Sequence, residues 1–162
     1  MREKWEDARV LFIMCSEEYK SSFSFYNLGI AAYHLGEYDE AERVLSLVNN
    51  MDPSHAPTWA YLTLVLLKKE ERPLYAAYQT MNEAQKLGLE ECELMMQIFE
   101  AWIEVKSFRA AKMALEYLIQ MKCNWHPDKI ARVFSKWFQK ATQIVQSAQN
   151  NHQMKEQLEE HH

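Results

Sequence analysis

Cysteine and histidine are the residues that would betray a metal centre or a nucleophile, and this chain keeps most of them apart. Its cysteines are Cys15, Cys92 and Cys123, and the nearest approach to a ligand pair is Cys123-Asn-Trp-His126. One thiolate and one imidazole leave tetrahedral zinc two ligands short, so the pair reads as a core thiol beside a turn histidine. His34 and His55 read as surface or turn residues. No glycine-rich phosphate loop, HExxH or GxSxG motif occurs, and the doublets Glu70-Glu71 and Glu90-Glu91 read as solvated helix ends. No catalytic residue, metal ligand or cofactor is therefore assigned, and the chain is not expected to be an enzyme. Eighteen Lys+Arg against 23 Asp+Glu give a formal charge of −5. That leaves no basic footprint for a phosphate backbone, which argues against a nucleic-acid partner.

The elements that carry these residues are helices. Of 162 residues 48% are apolar, while only three are Gly and four Pro, a composition that fits one helical domain and not an all-β or Rossmann-type fold. The longest strongly apolar stretch, Leu62 to Leu67, ends at Lys68 and Lys69 and is far short of the roughly 20 residues a membrane span requires. An odd cysteine count with no short pairing and no secretory leader reads as reduced thiols in an intracellular, cytoplasmic protein. Glu159 to His162 read as either native residues or the stub of a purification tag and carry no functional weight.

Apolar residues recur at spacings of three and four, as in Phe25, Leu28, Ala32, Leu35 and again in Met95, Ile98, Trp102, Val105. Pro53, Pro57, Pro73 and Pro127 stand at or just before helix starts, where the missing N–H costs nothing. The pattern predicts eight helices over 3–19, 22–35, 38–50, 55–69, 73–86, 91–105, 108–121 and 127–150. Short links between them force antiparallel hairpins. These hairpins repeat: Phe25-x-x-Leu28, Trp59-x-x-Leu62 and Met95-x-x-Ile98 lie 34 and 36 residues apart, and Ala41, Ala77 and Ala111 lie 36 and 34 apart. The difference places a two-residue insertion near Lys69 to Pro73. Small residues at Gly29 and Ala41 let paired helices approach closely, whereas Thr63 and Phe99 occupy the Gly29 position in the later copies, so the third hairpin must splay or repack.

Phe25-Tyr26-Asn27-Leu28-Gly29, Gly36-Glu37-Tyr38-Asp39-Glu40-Ala41 and Asp52-Pro53, repeated at a period near 34, resemble the tetratricopeptide repeat over about 22–125. The resemblance implies an all-α fold, a right-handed α-solenoid of antiparallel hairpins. About eight helices form one domain over 1–150: a half repeat at 3–20, repeats at 22–55, 56–91 and 92–125, and a capping helix at 127–150. A frayed or disordered tail over 151–162 would follow. Trp5-Glu6-Asp7-Ala8-x-x-x-Phe12 matches the second helix of a repeat, as expected of a fragment of a longer array. The degenerate, Met- and aromatic-rich copies look most like those of a large ciliary or flagellar tetratricopeptide protein.

In this family the first helices of successive hairpins line a groove that holds a peptide or helix. Carried over, the groove positions are Tyr26, Ile30, Tyr33, Ala60, Leu64, Leu67, Met96, Glu100 and Glu104. The implied function is a non-catalytic scaffold that binds an apolar or amphipathic segment of a protein partner there. The other reading is a regulatory or targeting domain of an enzyme whose catalytic part lies elsewhere. Positions that clamp a terminal carboxylate in chaperone-binding relatives hold Tyr26, Ile30, Ala60, Leu64 and Met96, so that mode is not expected. Val10, Ile13, Met14 and Trp5 leave an apolar side on the first helix suited to a homodimer.

Overall fold

Local chemistry marks several of the helix ends. The computed structural model describes residues 1–125 and 127–159 and holds, among them, eight helices and no strand. They are α1 (Arg2–Glu18), α2 (Ser22–Leu35), α3 (Tyr38–Met51), α4 (Ala56–Lys68), α5 (Leu74–Lys86), α6 (Cys92–Glu104), α7 (Phe108–Gln120) and α8 (Pro127–Glu159). The Ser21 hydroxyl accepts the Ser24 N–H at the start of α2, satisfying one of the donors a helix leaves open. Pro57 sits in the first turn of α4, Pro73 just before α5 and Pro127 at the head of α8. α8 runs past residue 150 to Glu159.

The chain divides into two compact units, Met1–Lys122 and Cys123–His162. In the first, α2 pairs with α3, α4 with α5 and α6 with α7, α1 packs on α2, and both α3 and α6 pack on α4. This is a tetratricopeptide-like stack of hairpins. In the second, the expected stripe of α8 contains a buried Val133, half-buried Trp137, Ala141 and Ile144, and exposed Phe134 and Phe138. The side chains of Ile130 and Val145, from the same stripe, lie outside the described ones.

Close approach governs the first hairpin. A Cβ built on Gly29 would stand 2.7 Å from the Leu45 side chain, so α2 and α3 pack in contact only because that methyl is missing. Thr63 fills the equivalent place on α4, fully buried; its hydroxyl donates to the Trp59 carbonyl and lies 2.9 Å from the Thr80 hydroxyl on α5. The third copy buries Phe99 there at 2% exposure, and α6 packs against α4 as well as α7.

Three helix ends close with the same paired bonds. At α2 the Glu37 and Gly36 N–H groups donate to the Ala32 and Tyr33 carbonyls, at α5 the Leu89 and Gly88 N–H groups to Ala84 and Gln85, and at α6 those of Ser107 and Lys106 to Trp102 and Ile103. The geometry requires a left-handed residue, supplied by Gly36 at φ 81°, Gly88 at φ 76° and, at a side-chain cost, Lys106 at φ 60°.

Cys15 is a free, exposed thiol, whereas the thiols of Cys92 and Cys123 are each oxidised to a disulfide. This corrects the expectation of three reduced thiols. His126 lies outside the described residues. Among those described, no group of three metal-ligating side chains gathers, and no helix is long and apolar enough to cross a membrane.

Two substitutions test this packing by urea denaturation. Gly29→Ala is expected to lose about 1–2 kcal/mol, since Leu45 must move and helix propensity returns only part of the cost. Lys106→Gly is expected to gain about 1 kcal/mol by relieving the left-handed strain. A gain in the first or a loss in the second contradicts the reading of the respective site.

Candidate functional site

On α2, Tyr26, Ile30 and Tyr33 follow one another at steps of four and three, which puts them on one face. All three are half-buried, as is Tyr61 on α4. The Tyr61 ring stands between the other two tyrosines, 6.0 Å from Tyr26 at 76° and 5.9 Å from Tyr33 at 71°. Edge-to-face pairs at this range add roughly 0.5–1.5 kcal/mol each beyond burial. The strip continues past Tyr26 to His55, 4.8 Å away, and past Tyr33 to Tyr38 and His34. His34 is in turn stacked on Trp5 of α1 at 3.9 Å. Beneath lies a core of Ala32, Ala41, Leu45, Leu62 and Val65.

The repeat pattern puts Leu64 and Leu67 beside these tyrosines as further anchors, with Ala60 leaving room for a ligand side chain and Met96 as a groove position. The structure instead buries them, at 0%, 1%, 3% and 3% exposure. α4 is packed by α3, α5 and α6, so the surface it offers here is the Tyr61 ring. Glu100 is half-buried and Glu104 exposed on α6, and the Glu104 carboxylate accepts from Lys68 at 2.9 Å. Of the expected groove residues, Tyr26, Ile30 and Tyr33 share one half-buried face, and the charge of Glu104 on α6 reaches Tyr33.

Sequence reasoning gave Trp5, His55 and Glu91 no part in this face. The signal for the first two was present, since aromatic residues at the starts of α1 and α4 were in view; only their alignment across helices was missing. Burial raises the pKa of Tyr33 to about 12 and pushes Tyr26 and Tyr61 up as well. Nearby charge adds to this, from Glu91 at Tyr26 and Tyr61 and from Glu104 at Tyr33. The hydroxyls are thus neutral, and carboxylates approach the strip from α6 and its N-terminal flank. His34 is held below its ordinary imidazole value by burial. The arrangement presents flat aromatic surface, hydroxyl tips and negative potential, and it holds no nucleophile set beside a base.

The model of the cilia and flagella-associated protein 70 C-terminal domain matches residues 1–161. Cilia- and flagella-associated protein 70 of Macaca fascicularis and that of Homo sapiens are each 33% identical to this chain over 96 residues. Those residues are 59% of this chain but 9% and 8% of the two relatives, so the chain spans under a tenth of their length. With a match along almost the whole sequence, and a stack of degenerate hairpins of the kind that match implies, the chain belongs to the family of the cilia and flagella-associated protein 70 C-terminal domain.

Proposed function

We propose that this domain is a non-catalytic interaction module of a ciliary or flagellar assembly. It holds an apolar or amphipathic segment of a partner protein across the tyrosine strip. The observation that carries the reading is the strip itself: Tyr61 in edge-to-face contact with both Tyr26 and Tyr33, all three half-buried. Aromatic groups held rigid on helices give up little entropy when a partner covers them, and interface energy concentrates on such residues. Glu91, Glu100 and Glu104 favour a partner with basic residues beside its apolar ones. Ala60, Leu64, Leu67 and Met96 serve this site by supporting it from within.

The test is a partner captured from ciliary extract and measured against variants by calorimetry. Tyr26→Ala with Tyr33→Ala is expected to cost about 2 kcal/mol or more. Glu100→Lys with Glu104→Lys is expected to slow association and flatten its salt dependence. Unchanged binding in both, with helicity retained by circular dichroism, rejects this face as the site.

Self-association has an observation of its own. Val10, Leu11 and Met14 are 54%, 61% and 60% exposed on α1, an apolar surface that a symmetric pairing would cover. Trp5 takes no part, because it is stacked on His34. Sedimentation equilibrium is expected to show a dimer that Val10→Glu with Met14→Glu converts to monomer; a wild-type monomer at tens of micromolar removes the proposal.

A further inference from the structure

Seven of the thirteen Lys and Arg residues of the first unit are paired, among them Arg2 with Glu6. Arg9 pairs with Glu6 and Glu37, Arg43 with Glu40, Lys68 with Glu104, Lys69 with Asp39 and Glu42, Lys86 with Glu83 and Lys112 with Glu116. Arg109, exposed in the first turn of α7, forms no ion pair or hydrogen bond among the described residues. It lies at a cleft of about 340 Å³ whose other walls are Leu74, Tyr75, Tyr78, Trp102, Ser107 and Ala110. This cleft shares no residue with the tyrosine strip.

The polar groups of the cleft wall are largely satisfied from within. The Trp102 indole N–H donates to the Met81 sulfur at 3.1 Å and the Tyr78 hydroxyl to the Met113 sulfur at 3.2 Å. With Trp102 at 1% exposure, what the cleft offers a ligand is ring and aliphatic surface, not unmet hydrogen bonds. Tyr75 is 75% and Leu74 40% exposed, so apolar surface continues outward from the cleft. The volume suits one or two side chains and is too small for a helix. An apolar recess beside an uncompensated guanidinium, on a chain of net charge −5, selects for a carboxylate next to an apolar side chain. A guanidinium can bind such a carboxylate through two parallel hydrogen bonds. The positive end of α7 adds to the same preference.

We propose that the cleft between α5 and the start of α7 is a second docking site. Its occupant is a short acidic segment of a partner protein that seats one aromatic or aliphatic side chain against Tyr75 and Tyr78 and places an adjacent Asp or Glu carboxylate on Arg109.

Heteronuclear NMR titration of the whole chain tests it with two probes, acetyl-Glu-Asp-Leu-Phe-Asp-amide and its neutral counterpart acetyl-Gln-Asn-Leu-Phe-Asn-amide. The acidic peptide is expected to shift amides in 74–78 and 107–110 and to bind at least roughly fivefold more tightly than the neutral one. Arg109→Gln is expected to remove that preference. Arg109→Glu is expected to reverse it toward acetyl-Lys-Lys-Leu-Phe-Lys-amide, a gain that a merely damaged fold does not produce. Tyr75→Ala is expected to weaken both original peptides about threefold or more. Equal binding of acidic and neutral peptides, indifference to Arg109→Gln, or shifts confined to Tyr26, Ile30 and Tyr33 overturn the proposal. So does self-association of the chain that Tyr75→Ala abolishes without a peptide response, which would make a second copy the occupant.

Discussion

Everything in Met1–Lys122 leans on α4. Nine of its thirteen residues are buried, among them Ala60, Leu62, Leu64, Val65, Leu66 and Leu67. A helix apolar all round is unstable until neighbours cover every side, and α3, α5 and α6 supply that cover. Its two buried hydroxyls are met on the spot: Thr63 by Trp59 and Thr80, Thr58 by the His55 ring at 2.7 Å. The cost of burying them is thereby kept to that of ordinary hydrogen-bonded groups. Hairpin stacking in this unit is the means by which one central helix is kept out of water.

The tyrosine strip follows from the same constraint. Side chains at the margin of a fully packed helix must have one side fit for the core and another fit for water. A phenol meets that demand with a ring to bury and a hydroxyl to leave out. Tyr61 is such a margin residue on α4, and Tyr26 and Tyr33 meet it from α2. The site is thus the hydrated border of the core, already rigid before any partner arrives.

Much of this could be read from the residues alone, and the part that could not has a physical reason. Helix limits were legible because caps and prolines are local, as at Ser21, Pro57 and Pro73. The Gly29 contact was legible because a side chain missing at a repeat position marks where two backbones come close. Leu64 and Leu67 stand at groove positions yet are buried, because periodicity assigns a face only to a helix that has one, and the run from Leu62 to Leu67 has none. The division after Lys122 was invisible for a related reason. The apolar stripe of α8 says that the helix must bury something, and nothing local says what.

Charge adds a second layer of order to the one that packing sets. The pairs Arg9 with Glu37, Lys69 with Asp39 and Glu42, and Lys68 with Glu104 each tie together elements distant in sequence. Partly exposed pairs of this kind contribute at most about 1 kcal/mol each, so they set the register of helices more than they hold them together. Each pair, however, occupies a cation in a chain with five more acids than bases. The surface consequently keeps an excess of negative charge, and Glu91 and Glu104 make part of it felt at the tyrosine strip. Arg109 escapes this pairing because it opens α7 beside the aromatic cleft of α5, with no acid placed to meet it. Repeat degeneracy thus leaves one small unit with two surfaces of different electrostatic character, an aromatic strip under nearby carboxylates and an aromatic cleft beside a guanidinium.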